Sequence, residues 1–341
     1  MLDIAASPLS EVRNDVYGRG GVLGEFEREV ASLLGMEAAV YMPSGTMAQP
    51  IALRIWSDRA GIARVAFHPT CHLEIHEQMG YRELHHLDGI LLGDADRLFT
   101  LVDFLAVDLP LSTLLIELPQ REIGGQLPTW AELTAICNAA RSRGVRLHLD
   151  GARLWECGPY YQRSYAEICG LFDSVYVSFY KILGGLPGAM LLGPSDFIDK
   201  AKIWQRRQGG NLQQQSPSVI AAKLGLDRHL PHMPSYVAKA QDIAAILRDL
   251  PGVCVVPEYP PTNMMHVYFA GDADRINDAA LRIAEEDRVW LFQVHSTTDG
   301  AKFELNVGAA AMELTEDRIR GLFEKLFDQS STEPAGSESS V

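Results

Sequence analysis

The stretches VRLHLDGARLWE (residues 145–156) and SVYVSFYKILGGLPGAMLLG (174–193) decide how this chain is read. Val145, Leu147 and Leu149 alternate with Arg146 and His148, the period of a short strand. Asp150 ends that strand, and Gly151 releases the backbone into a loop. Ser174 to Phe179 is a second β-branched and aromatic run, which delivers Lys181 into the turn Gly184-Gly185-Leu186-Pro187-Gly188. An apolar strand resumes at Met190–Leu192. One acid and one lysine thus stand at the ends of buried strands, where open α/β sheets place their ligands.

A lysine at the end of an apolar strand is costly to bury unless it is deprotonated, paired or covalently used. A desolvated amine is the starting point of Schiff-base chemistry, and a buried carboxylate facing a pyridine nitrogen is its usual companion. The same two residues would also serve as an ordinary ion pair at a strand-end turn, and the residue types alone leave both readings open. DGAR at 150–153, followed by S-x-x-K at 178–181 in a glycine-rich turn, resembles the low-specificity threonine aldolase and β-eliminating lyase family of pyridoxal-phosphate (PLP) enzymes. The resemblance implies that Asp150 binds the pyridinium nitrogen, Arg153 reaches the ring-hydroxyl side, and Lys181 carries the cofactor as a Schiff base. It also brings Ser178 into the cofactor set.

With 341 residues, 47% of them hydrophobic and 22% charged, the chain has the composition of a soluble globular enzyme of one large domain or two. A net charge of −14 argues against nucleic acid or an anionic membrane as a partner. No apolar run approaches the roughly 18 residues that span a bilayer. The opening Met1-Leu2-Asp3-Ile4 lacks the layout of a secretory signal. Five scattered cysteines without Cys-x-x-Cys spacing indicate neither a disulfide framework nor a zinc site, and a reducing cytoplasm is the expected compartment.

Towards the N-terminus, Leu23–Leu34 has a helical apolar face stopped by Gly35, and Ala38–Met42 is a strand. Pro43-Ser44-Gly45-Thr46-Met47-Ala48-Gln49 then turns into a helix expected over Pro50–Trp56. Strand, small-residue turn and helix N-terminus make a phosphate cradle, although a plain N-cap is the more common meaning of Ser-Gly-Thr alone. The resemblance assigns Ser44, Gly45 and Thr46 to the PLP phosphate. His68, His72 and His76 recur at four-residue steps, but Pro69 breaks the helix and no acid-and-cysteine set completes a site, so no metal is expected. The family carries a His and a Glu at the spacing of His72 and Glu77, which makes His72 the residue stacked on the cofactor ring and a candidate for proton transfer.

Three further stretches supply candidates for binding substrate. Tyr17 lies in Asp15-Val16-Tyr17-Gly18, a run similar to one near the family's start. Gln120 and Arg121 follow the apolar strand Leu111–Leu118, in a polar loop on the same edge as Asp150. The capping box Thr129/Glu132 next starts a helix over Trp130–Arg143. Arg206 and Arg207 end a helix begun at Ser195, just before Gly209-Gly210-Asn211. The family has a basic glycine-rich run here that reaches an active site, sometimes a neighbouring subunit's, and Arg207 is the residue carried over. Arg19-Gly20-Gly21 replaces the family's acids, and Gln213-Gln214-Gln215 replaces a later Arg, which marks a divergent member.

From Val253 the pattern is that of a smaller α/β domain. Strands are expected at Val253–Val256, Met264–Phe269, Val289–Val294 and Phe303–Val307, with helices over Ala273–Asp287 and Thr315–Phe327. Thr262-Asn263-Met264 matches the family's own tripeptide before a strand. Family aldolases clamp the substrate carboxylate with an Arg on a small-domain strand, but Phe303–Ala309 contains none, so weak threonine cleavage is expected, with Arg121 as the substitute clamp. The expected organisation is an N-terminal segment (1–21), a PLP-binding large domain (22–235), a small C-terminal domain (236–328) and a disordered tail (329–341). The implied fold is α/β, the aminotransferase-like PLP fold type I with a mostly parallel sheet. The implied function is aldol-type Cα–Cβ cleavage of a β-hydroxy-α-amino acid by a homodimer or homotetramer, with a β-eliminating lyase as the alternative. A nucleotide-binding protein is disfavoured because Gly184–Gly188 precede a strand rather than a helix. A non-catalytic regulator of the same fold would have no need of Lys181.

Overall fold

The computed structural model describes residues 2–292, 294–297 and 300–331. One compact unit comprises the chain through Glu122 together with Gln126–Met233, and a second comprises Ile123–Gly125 with the chain from Pro234 onward.

The first unit is built on strands β1 (Ala38–Met42), β2 (Arg64–Phe67), β3 (Asp88–Leu91), β4 (Thr113–Glu117), β5 (Arg146–Gly151), β6 (Ser174–Ser178) and β7 (Ala189–Gly193). They form one sheet in the order β1-β7-β6-β5-β4-β2-β3. β7 runs antiparallel to both its neighbours, and the remaining pairs are parallel. Every residue of β6 and β7 is buried, which explains their unbroken apolar runs, since a sheet covered on both faces has no solvated side to alternate with. The helices of this unit include α1 (Gly21–Leu33), α2 (Gly45–Ala60), α3 (His72–Ile75), α4 (Trp130–Ser142), α5 (Ser195–Arg207) and α6 (Ser216–His229), with shorter helices between them. The expected capping box of α4 is present, with Thr129 and Glu132 bonding each other's backbone N–H groups.

Two local expectations are corrected here. The helix expected from Pro50 begins at Gly45, because the Ser44 side chain accepts from the Met47 N–H and caps it there. Pro50 sits inside this helix. β3 had no counterpart in the sequence reading: Asp88 and Gly89 are weak strand formers, and the strand is a half-exposed edge held only by β2.

At the opposite edge β1 is covered by side chains. The Tyr41 N–H donates to Glu27 Oε1 of α1 at 2.8 Å, and the Tyr41 carbonyl accepts from Gln205 Nε2 of α5 at 2.7 Å. Burial raises the Glu27 carboxyl to about 7, against the lowering pull of that N–H.

The second unit contains α7 (Met233–Arg248) from Pro234 on, then β8 (Val253–Val256), β9 (Met264–Phe269), α8 (Ala273–Asp287), β10 (His295–Thr297), β11 (Gly300–Asn306) and α9 (Glu316–Ser331). Its sheet is antiparallel in the order β10-β11-β9-β8. One face presents Met265, Val267 and Phe303 to a core shared with α7, α8 and α9. Among the described residues of Val289–Val294 the expected strand is absent. Phe292 instead lies stacked on Phe303 with ring centroids 3.5 Å apart. The Asn277 side chain of α8 satisfies both backbone groups of Val294, accepting from its N–H at 2.8 Å and donating to its carbonyl at 3.1 Å. With those groups taken, pairing starts only at His295. Residues 329–331, expected in a disordered tail, close α9, and 332–341 lie outside the described residues. Among the described residues no helix is long and apolar enough to cross a membrane.

Candidate active site

The parallel strands β2, β4, β5 and β6 end on one edge of the sheet, so the loops after Phe67, Glu117, Gly151 and Ser178 emerge together. Asp150, at the end of β5, is 1% exposed. Its Oδ2 accepts from Gln49 Nε2 at 2.8 Å, and its Oδ1 accepts from the Ala152 N–H at 3.1 Å. Gln49 lies on the first turns of α2, so this bond ties the Ser44–Thr46 helix start to the end of β5. In parallel register Asp150 faces Glu117 at the end of β4. Glu117 accepts from the Arg121 N–H at 3.2 Å and from Gln120 Nε2 at 3.0 Å.

Burial, with the Asp150 charge added, holds the Glu117 carboxyl well above the usual carboxylate range. Burial, with Arg153 added, pulls the Lys181 amine well below its ordinary value, while the nearby carboxylates pull the other way. The turn that carries Lys181 is closed by the Gly185 N–H on the Phe179 carbonyl at 2.8 Å. A side chain at Gly188 would collide with the Tyr41 hydroxyl, which fixes the choice of glycine there.

His72 opens α3, and its Nδ1 donates to Glu77 Oε1 at 2.8 Å. Glu77 is buried, and with Glu117 and Asp150 it raises the neighbouring buried Cys71 thiol, whose main cause of shift is burial itself. Arg121 Nη1 pairs with Glu122 Oε1 at 2.7 Å. Ser44 is engaged as the helix cap, Thr46 is exposed beside it, and the buried Ser178 hydroxyl donates to the Ala152 carbonyl at 2.8 Å. Tyr17 and Arg207 stand apart. Tyr17 is tied through its backbone to Gln213 and Asn211, and the Arg207 guanidinium lies 4.7 Å from the Trp204 ring centroid. Among the described residues neither makes a hydrogen bond or ion pair with Asp150, His72 or Lys181. No group of metal-ligating side chains is present among the described residues.

Residues 10–270 match the β-eliminating lyase family. This chain belongs to that family. Membership makes it a pyridoxal-phosphate-dependent lyase. It is 44% identical to a Listeria monocytogenes protein provisionally assigned as an L-allo-threonine aldolase, whose structure it matches over 96% of this chain and 92% of that one with a TM-score of 0.92. A protein from Exiguobacterium sp. 255-15, provisionally assigned as an aromatic amino acid β-eliminating lyase/threonine aldolase, is again 44% identical, with a TM-score of 0.92 over 96% of this chain and 93% of that one. The low-specificity L-threonine aldolase 1 of Arabidopsis thaliana is 28% identical over 301 residues, 84% of this chain and 83% of that one.

The family's cofactor can be tested against the groups present. A carboxylate offers roughly four lone-pair positions, and Asp150 has two of its contacts filled, which leaves room for a ring N–H. Gln49 Oε1 and Glu77 Oε2 are buried without a partner among the described residues, so the site has acceptors to offer. The first-turn N–H groups of α2 have no intrahelical partners, and the amine of Lys181 is within its reactive range near neutrality. The residues present fit the group.

Two members of this constellation, and one buried carboxylate outside it, escaped the sequence reading. Gln49 is a lone amide in the apolar run Met47–Leu53, and a polar residue in a buried stretch is the signal that marks it. Glu117 ends an apolar strand as Asp150 does, and the same rule applied twice finds it. Asp15 is fully buried and accepts at one oxygen from the Gln215 N–H (2.8 Å), the Ser216 N–H (3.0 Å) and the Ser216 hydroxyl (2.8 Å). This caps α6 with a carboxylate from the N-terminal segment, and nothing in the local sequence shows a partner 201 residues away.

Proposed function

We propose that this lyase cleaves the Cα–Cβ bond of a β-hydroxy-α-amino acid of the threonine type. The observation that carries the reading is the pairing of a buried, amide-held Asp150 with a Lys181 whose burial favours the free amine. Bound there, pyridoxal 5'-phosphate supplies an electron sink for the pair left on Cα when the Cα–Cβ bond breaks. Lys181 would hold the cofactor covalently, and Asp150, its carboxylate fixed by Gln49, would keep a proton on the ring nitrogen. Arg153 serves the ring-hydroxyl side. Gly45 and Thr46 offer N–H groups to the phosphate, with Ser44 shaping the turn and Ser178 the far wall. His72 covers the ring face, its orientation set by Glu77.

The names of the similar proteins support this choice of reaction, since each includes an aldolase activity. β-Elimination would use the same groups, and the products separate the two: an aldehyde from cleavage, ammonia and a keto acid from elimination. Purified protein should be yellow, and borohydride should discharge the colour while fixing the cofactor irreversibly onto Lys181. A colourless protein that takes up no cofactor on incubation would end this reading.

We further infer a cytoplasmic homodimer or homotetramer, with the 206–215 segment beside a neighbouring subunit's cofactor and Tyr17 and Arg207 serving there. Supporting the placement of Tyr17, it lines with Arg19, Lys202, Arg206 and Asn211 a cavity of about 640 Å³ that Asp150 and Lys181 do not share, whereas Arg207 lines a different one. Four of the cysteines are buried free thiols, as suits a reducing compartment.

A further inference from the structure

Two imidazole–carboxylate pairs stand side by side at the carboxyl edge of the first unit's sheet. His72 Nδ1 donates to Glu77 Oε1 and His76 Nε2 donates to Glu122 Oε1, each at 2.8 Å, and the ring centroids are 5.0 Å apart. Because the two carboxylates hold opposite ring nitrogens, the free lone pair is on Nε2 of His72 and on Nδ1 of His76. Both side chains are 39% exposed.

The His76 pair is anchored to the chemistry rather than hanging from a surface helix. Arg121 Nη1 binds the same Glu122 oxygen at 2.7 Å and comes within 3.3 Å of His76 Nε2. With that nitrogen's hydrogen already on Glu122, the guanidinium and the imidazole converge on one carboxylate oxygen instead of bonding each other. The Arg121 backbone N–H in turn donates to Glu117, which faces Asp150 in register. Each joint of this chain is a hydrogen bond or a strand pairing, so the His76 ring is positioned relative to Asp150.

The proposed reaction needs a base for the β-hydroxyl. A ring that covers the cofactor face directs its in-plane lone pair past that face, which suits His72 to covering and leaves the hydroxyl to its neighbour. Resting on the function proposed above, we propose that His76 takes the β-hydroxyl proton and that Glu122 is its positioning residue. In the step, the O–H proton passes to His76 Nδ1 and the O–H electron pair becomes the second bond of the aldehyde carbonyl. The Cα–Cβ bond breaks and leaves its pair on the Cα side.

The test compares two reactions of the holoenzyme: aldehyde release from L-allo-threonine, and exchange of the glycine α-hydrogen in deuterated water, which involves no β-hydroxyl. In His76→Ala, cofactor uptake and glycine exchange should be retained while aldehyde release falls about 100-fold or more, the usual span for a lost general base. Glu122→Gln should lower kcat for release at unchanged KM, and Glu122→Asp should restore part of it. Undiminished release in His76→Ala, or equal loss of exchange and release, overturns the proposal. Failure of the wild-type protein to take up pyridoxal phosphate would instead strike the parent reading, and the cofactor spectrum reports that independently of any variant.

Discussion

The carboxyl edge of the first unit's sheet and the α8–α9 surface of the second use the same kinds of charged residue to opposite effect. On α9, Lys325 pairs with Glu286 and Asp287 at 2.7 Å each, and Arg318 pairs with Asp287 at 2.7 Å, with the Arg318 side chain 47% exposed. There the partners dominate, and hydrogen bonds from Lys325 and Arg318 hold Asp287 below its ordinary value. At the sheet edge burial dominates, driving Glu117 up and Lys181 down. Partner-led shifts lock groups into the charge they already prefer. For a carboxyl and an amine, burial-led shifts bring protonation changes towards neutral pH, where catalysis can use them.

The sharpest way to break the comparison is Asp150→Asn. An amide cannot hold a ring proton by charge, so cofactor should stay bound while turnover falls about 10- to 100-fold, the worth of a charge-assisted hydrogen bond of about 1.5–3 kcal/mol. Near-normal turnover would reduce Asp150 to a structural partner of Gln49. Next in size is Arg121→Ala. Threonine cleavage is expected to be weak already, since β11 offers Glu304 and Asn306, bonded to each other at 2.8 Å, and no Arg. The variant should lose about a further 10-fold in acetaldehyde release, as one charged hydrogen bond is removed. Brisk wild-type cleavage that survives the substitution would show that another group holds the carboxylate.

Glu27 tests the burial rule away from the site. Its proton is present in both folded and unfolded chains below the ordinary 4.5, and the folded chain alone keeps it up to about 7. Its contribution to stability is therefore full below about pH 4.5 and is lost as pH rises through about 7. The Tm of wild type minus that of Glu27→Gln should decline across this window, and a difference that stays flat would mean Glu27 folds ionised. The smallest effect belongs to Asp287→Asn, whose partners Arg318 and Lys325 face solvent, so that the network should yield no resolvable change in Tm at physiological salt. A clear drop would place this network with the buried one.

Much of this contrast was legible in the chain itself. The apolar runs ending at Asp150 and Ser178, the glycine turn after Lys181 and the Thr129/Glu132 box are local patterns, and local patterns survive folding. Glu117 was legible but passed over. Glu122 and Asp15 act through partners remote in sequence, 46 residues away at His76 and 201 at Ser216, and no spacing rule reaches that far. The false strand at Val289–Val294 failed for a related reason: its composition is that of a strand, but a side chain from α8 took the backbone groups a ladder would have needed. Pro50 misled because a proline near a helix start is ordinarily its first residue, whereas here Ser44 had already begun the helix.

The covering of β1 also has a history in time. Glu27 lies 14 residues before Tyr41 and is already made when the strand leaves the ribosome, but Gln205 lies 164 residues after it. β7, its neighbour in the sheet, is late as well. At ordinary synthesis rates of about 5–20 residues per second, the rim at Tyr41 waits roughly 8–30 s for its second partner. During that interval an unfinished chain carries a free strand edge able to pair with its like, and afterwards it does not. Ribosomes crowded on one message would therefore aggregate this protein in a way that the finished enzyme, at the same concentration, would not.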